Sequence, residues 1–169
     1  MKKILTVFAF ISLMVCPVLK AENKIIIDKP NYNLIVVNEE NDTIFQAPVC
    51  LGKNLGQKTK RGDLKTPEGS FSIKSIENSS GWGHSKSIYG GGYGPYFMRL
   101  KVPGNNSIGI HGTNKPETIG RRMSEGCIRL HNEDLVELIN FVGLGTEVVV
   151  LPDVVVVEET VEDTPEQNP

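Results

Sequence analysis

Between residue 24 and Gly112 no stretch of this chain sustains a helical period, and that absence constrains its fold more than any other feature. Short runs rich in β-branched residues recur instead, each closed by a turn sequence, which is the pattern of a sheet protein. Residues 24–27 and 33–37 are two such runs, split by Asp28-Lys29-Pro30-Asn31, whose Asp, Pro and Asn favour a tight turn. Residues 43–51, 71–76, 96–102 and 107–111 continue the series, and 146–151 closes it before Pro152. In Ser107-Ile108-Gly109-Ile110-His111 the alternation predicts that His111 faces away from the isoleucines. One helix is expected after these runs: Leu135, Leu138, Ile139 and Val142 recur at helical spacing, with Asn132 as cap, Glu133 and Asp134 in the first turn and Gly143 or Gly145 as stop. The fold class is therefore mainly β, a mostly antiparallel β-sandwich or barrel-like sheet pair with one short helix.

Residues 1–21 read as an export signal: Lys2 and Lys3 precede an apolar stretch over 4–19, and Ala21 offers a small residue for cleavage. The stretch is shorter than the roughly 20 apolar residues of a spanning helix, so no stable membrane anchor is expected. Val15 and Pro17 flank Cys16 where a lipidation site would carry small residues. Residues 22–151 hold fifteen Lys/Arg against fourteen Asp/Glu, and so form a near-neutral domain. Residues 152–169 carry six acids and no base, and are expected to be a disordered acidic tail. A net charge of -2 gives no nucleic-acid footprint. Two long loops interrupt the strands. Residues 52–69 are basic and end in Thr66-Pro67-Glu68-Gly69; residues 77–94 interleave glycines with Trp82, His84, Tyr89 and Tyr93, as in a flap over a cleft.

Chemistry concentrates in residues 108–132. Cys127 stands beside Gly126, His111 lies sixteen residues upstream, and Arg129 follows two residues later. Gly126 clears space beside the sulfur, so a planar carbonyl can approach. Backbone amides at Gly126 and Cys127 are candidates for an oxyanion environment, worth on the order of 3 kcal/mol per donor in acyl transfer. A free thiol has a pKa near 8.5 and needs a partner to act at neutral pH. His111 is the expected base, as half of a thiolate–imidazolium pair, and Arg129 can offer a bidentate fork to a carboxylate. Cys50, in an apolar run, reads as a buried small hydrophobe rather than a disulfide partner.

The segment resembles the signature of the L,D-transpeptidase catalytic domain (YkuD) family: His111-Gly112-Thr113, Pro116, Ile119-Gly120, then Ser124-Glu125-Gly126-Cys127-Ile128-Arg129. Thr66-Pro67-Glu68-Gly69 and Gly145-Thr146-Glu147-Val148 match as well, so the likeness runs from about residue 24 to 151. The resemblance implies a β-sandwich domain, in the periplasm or cell wall, acting on peptidoglycan stem peptides as donor and acceptor. Cys127 would attack a tetrapeptide stem, release D-alanine and pass the acyl group to another stem, giving a 3→3 cross-link. His111 would be the base, Arg129 would hold a substrate carboxylate, and Ser124, grouped with it on the substrate-binding side, would position the loop. No metal or organic cofactor is implied.

One position departs from the family pattern: Glu125 stands where a second histidine is usual. Near the thiol a carboxylate opposes ionisation; against His111 it favours the imidazolium, which makes Glu125 a candidate modulator. His131 matches no motif position and is expected at an exposed helix entry. Two other readings use the same residues. An L,D-carboxypeptidase would pass the acyl group to water. A non-catalytic wall- or zinc-binding domain would recruit Cys127, His131, His111 and His84, at a spacing irregular for such a site.

Overall fold

The computed structural model describes residues 23–82 and 91–153. The export signal, His84 and the tail beyond Asp153 lie outside the described residues.

Among the described residues, ten strands, one 3-10 turn (Pro116–Thr118) and one short α-helix follow one another. β1 (Lys24–Asp28), β2 (Asn33–Val37) and β3 (Thr43–Pro48) form an antiparallel meander in which Ile25, Ile27, Leu34, Val36, Phe45 and Ala47 alternate into the core. The run expected over 43–51 divides after Pro48. Proline has no N–H to give a ladder and is tolerated at the end of this edge strand. The chain then crosses to a second, two-stranded sheet as β4 (Leu51–Gly52).

Beyond the basic loop come β5 (Gly69–Asn78), β6 (Tyr96–Leu100) and β7 (Gly109–His111). β8 (Arg122–Ser124) pairs with β4 and β9 (Ile128–Arg129) with β7, both in parallel. Cys127 lies between these two strands. β10 (Glu147–Val150) enters the large sheet between β1, to which it is parallel, and β5, to which it is antiparallel. The order is β3-β2-β1-β10-β5-β6-β7-β9, and the sheet curls as a whole. The expected mainly β class is what the chain adopts.

α1 (Asn132–Leu138) packs Leu135 and Leu138 into the core, and Val142 joins them from beyond its end. The helix stops at Leu138, before either glycine named as its stop. Its cap residue is His131, and no side chain caps it. Asn132 is thus not the cap: its Oδ1 accepts the Thr113 amide at 2.9 Å.

Lys29, at the β1–β2 turn, is wholly buried. Its ammonium contacts Glu68 at 2.6 Å and Asp153 at 2.8 Å, and Asp153 also takes the Arg122 guanidinium. Asp153, expected in the acidic tail, is therefore bound into the folded body. Its other partner is the amide of Gly56, at 2.5 Å.

Candidate active site

β7, β9 and the turn between β8 and β9 bring the three expected side chains to one cavity of about 760 Å³, lined by Cys127, His111 and Arg129 together. The parallel register sets His111 opposite Arg129, so the imidazole and guanidinium project from neighbouring strands. Ile110 turns into the core and His111 to the cavity, as the alternation predicts.

Gly126 makes the turn before the sulfur. Its φ is +132°, which disfavours any residue with a side chain, and a Cβ there would come within 2.6 Å of the Lys65 carbonyl oxygen. Ser124 holds this turn from inside: its hydroxyl donates to the Cys127 carbonyl at 2.6 Å and accepts the Gly126 amide at 3.1 Å. Ser124 is fully buried and is not among the residues lining the cavity; its hydroxyl ties the turn together. The Gly126 N–H donates to the Ser124 hydroxyl.

His111 is walled by aromatic rings. Phe97, its cross-strand neighbour, stacks on it at 5.4 Å, and Tyr93 lies 4.9 Å away. The ring Nδ1 sits 2.6 Å from the Gly112 carbonyl oxygen. A carbonyl can only accept, so Nδ1 carries the proton and Nε2 is left as the base. Burial drives the imidazole pKa down to about 3; the Gly112 carbonyl opposes that shift and the Arg129 charge adds to it.

Burial likewise pushes the Cys127 thiol up, against the Gly109 backbone and the Arg129, Lys58 and Arg99 charges. The thiol donates to the Ser107 carbonyl at 3.4 Å rather than to the imidazole. The resting pair is thus neutral thiol and neutral imidazole, not the expected thiolate–imidazolium. Desolvation in a site walled by Phe97 and Tyr93 outweighs the attraction of opposite charges. Among the described residues, Arg129 Nε is buried without a hydrogen-bond partner.

Glu125 is exposed and lines the cavity with Cys127, but among the described residues it makes no hydrogen bond or ion pair with His111. The shared face expected for positions 125 and 127 holds, while the contact with the imidazole does not. No three His, Cys, Asp or Glu side chains converge among the described residues, and Cys50 and Cys127 are both free.

A model of the L,D-transpeptidase catalytic domain family, YkuD, matches residues 22–150. The chain belongs to this family. Two relatives bearing the L,D-transpeptidase YkuD name are each 37% identical to it. The one from Bacillus licheniformis aligns over 114 residues, 67% of this chain and 57% of its own length; the one from Bacillus subtilis aligns over 116, or 69% and 58%. The YkuD domain thus spans a little over half the length of these relatives. Its fold is shared with the helical cell shape determining protein Pgp2 of Campylobacter jejuni, at a TM-score of 0.62 and 23% identity over 79% of this chain and 49% of that one. An L,D-transpeptidase from Mycobacterium smegmatis gives 0.53 and 20%, over 77% and 58%.

Several residues that shape this YkuD cavity were not singled out from sequence. Lys53, Lys58, Arg61 and Lys115 line it with Arg129, against the lone carboxylate of Glu125. Asp63 organises the basic loop: it binds Lys58 at 2.5 Å and accepts the amides of Thr59, Lys60 and Lys65. Although burial acts the other way, these donors hold its carboxyl well below the usual carboxylate range. Arg61-Gly62-Asp63, with Gly62 at φ +80°, was the available sign of a turn there.

Proposed function

We propose that this domain is a peptidoglycan L,D-transpeptidase, exported to the periplasm or cell wall, that forms 3→3 cross-links between stem peptides. One observation supports the reading: a single cationic cavity gathers a thiol, an imidazole whose Nδ1 is tied to the Gly112 carbonyl, and an arginine whose Nε has no partner among the described residues. Stem peptides are rich in carboxylates, and five cations facing one carboxylate suit them.

As Cys127 Sγ attacks the carbonyl of the third stem residue, Nε2 of His111 takes the thiol proton. Arg129 holds a substrate carboxylate through its planar fork. The Cys127 amide, with the Gly126 amide engaged by Ser124, is the donor left for the developing oxyanion. Collapse breaks the bond to D-alanine, whose amine receives the proton back from the imidazolium, leaving a thioester. The side-chain amine of a second stem then attacks the thioester, gives its proton to His111, and expels the sulfur as thiol. With water as acceptor the same steps trim a tetrapeptide to a tripeptide.

Muropeptides incubated with wild type beside Cys127→Ala test this. Cross-linked dimers with free D-alanine are expected from wild type alone. Trimmed monomers without dimers would move the assignment to L,D-carboxypeptidase. Equal products from both proteins would remove Cys127 from the chemistry.

A further inference from the structure

The Gly112–Thr113 peptide has a partner at each end. Its C=O accepts Nδ1–H of His111 at 2.6 Å, and its N–H donates to Oδ1 of Asn132 at 2.9 Å. In a planar trans amide these two groups point in opposite directions, so the imidazole and the carboxamide grip one rigid unit from opposite sides. Asn132 comes from the first turn of α1, twenty-one residues after His111. The packing around it is built to let it in. A Cβ at Gly112 or at Gly94 would overlap Asn132 Oδ1, so glycine at both positions makes room for the carboxamide. Asn132 does not cap its own helix, and its Oδ1 serves the Thr113 amide instead.

Resting on the assignment of Cys127 and His111 as nucleophile and base, we propose that Asn132 is a positioning residue, which orients and polarises the peptide that fixes the tautomer and aim of His111. Drawing electron density toward the Gly112 oxygen strengthens its bond to Nδ1–H, because hydrogen bonds in a chain reinforce one another. The bond also stops the peptide from rotating, which would turn the carbonyl away and free the ring to flip. Among the described residues, the charged and titratable groups around the imidazole are Arg129 from β9, Cys127 from the turn before it and Tyr93 from the glycine-rich loop. Lys53, Lys58, Arg61, Lys115 and Glu125 line the same cavity.

Two variants carry the test. Asn132→Ala deletes the acceptor; kcat for D-alanine release from a tetrapeptide stem is expected to fall on the order of tenfold, part of the 10²–10⁴ that a positioned base supplies, with KM within about twofold. Asn132→Asp keeps an acceptor of the same shape and adds charge that favours the imidazolium. It is expected to recover most of kcat and to move the acid limb of the pH–rate profile to higher pH. A merely structural contact would show no such shift.

Alkylation of Cys127 by iodoacetamide, followed against pH by peptide mass, reads the same coupling without any cell-wall substrate. Its inflection is expected at lower pH in Asn132→Asp than in wild type, and at higher pH in Asn132→Ala. Should wild type release no D-alanine, the proposed substrate fails, while the alkylation profiles still decide the role of Asn132. Wild-type kcat in a folded Asn132→Ala overturns the proposal. So do kinetic and alkylation profiles of Asn132→Asp that coincide with those of wild type, and these decide the matter if the alanine variant does not fold.

Discussion

Burial holds the pKa of the His111 imidazole down, to about 3, and that of the Cys127 thiol up, so in the proposed reaction sulfur attack and proton transfer are coupled. The sign for the base is simple. A pKa lowered to about 3 leaves Nε2 able to accept protons throughout the mildly acidic range, so the acid limb of kcat/KM is expected below pH 5. The same shift makes stability depend on pH. The unfolded chain takes up a proton at His111 near pH 6.5, while the folded chain resists until about 3. This contribution is therefore complete above 6.5 and is lost as pH falls toward 3. Melting temperatures measured between pH 7 and 4 should decline less steeply in His111→Gln than in wild type, and that variant should also lose about 10²–10⁴ in kcat. Glu125→Gln is expected to leave the thiolate absorbance titration of Cys127 in place, since the carboxylate has no contact with His111. A displaced titration would restore Glu125 to the proton chemistry. Cys127, His111 and Arg129 could be read from the sequence because their residue types and spacing carry chemistry. Asn132 could not, because an asparagine before a helical run looks like a cap until Thr113 is seen against it.

Strands long enough to bury an alternating face announced themselves, as β1, β2, β5 and β6 show. β4, β8 and β9 are two or three residues each and have no period to display. They exist because Cys50 and Arg129 exchange backbone hydrogen bonds at 2.8 and 2.9 Å, and because β4 finds β8. Those pairings belong to the tertiary structure, yet they place Cys127 at the cavity. Ser124 is the pin of that arrangement. Ser124→Ala would strand the buried Gly126 amide and free the Cys127 carbonyl, at a cost of about 1–3 kcal/mol. Chemical denaturation should show that loss, and kcat should fall with it as the turn loosens. Threonine, which keeps the hydroxyl, should recover part of both.

Across the whole molecule, the ion cluster of Lys29, Glu68, Arg122 and Asp153 joins four distant parts of the chain. Removing the buried ammonium leaves two carboxylates facing each other in a site with little water. Lys29→Ala should lower the unfolding free energy by about 3–5 kcal/mol in urea titrations. Burial alone would raise the Asp153 carboxyl. Lys29, the Gly56 amide and Arg122 outweigh it and hold the group below its ordinary 3.8. This part of the stability is present above that value and lost as pH falls below it, and Asp153→Asn should flatten the acid arm of a stability curve. Nothing in the composition of residues 152–169 marked Asp153 off from the acids that follow, because its partners lie 31 to 124 positions away.

β10 has a further consequence for how the protein is made. It is the central stave between β3-β2-β1 on one side and β5-β6-β7-β9 on the other. A nascent chain that has not yet delivered residue 147 holds two parts of the large sheet with no strand between them, each with a raw hydrogen-bonding edge that other chains can copy. Closure of the large sheet is thereby postponed until residues 147–150 have emerged.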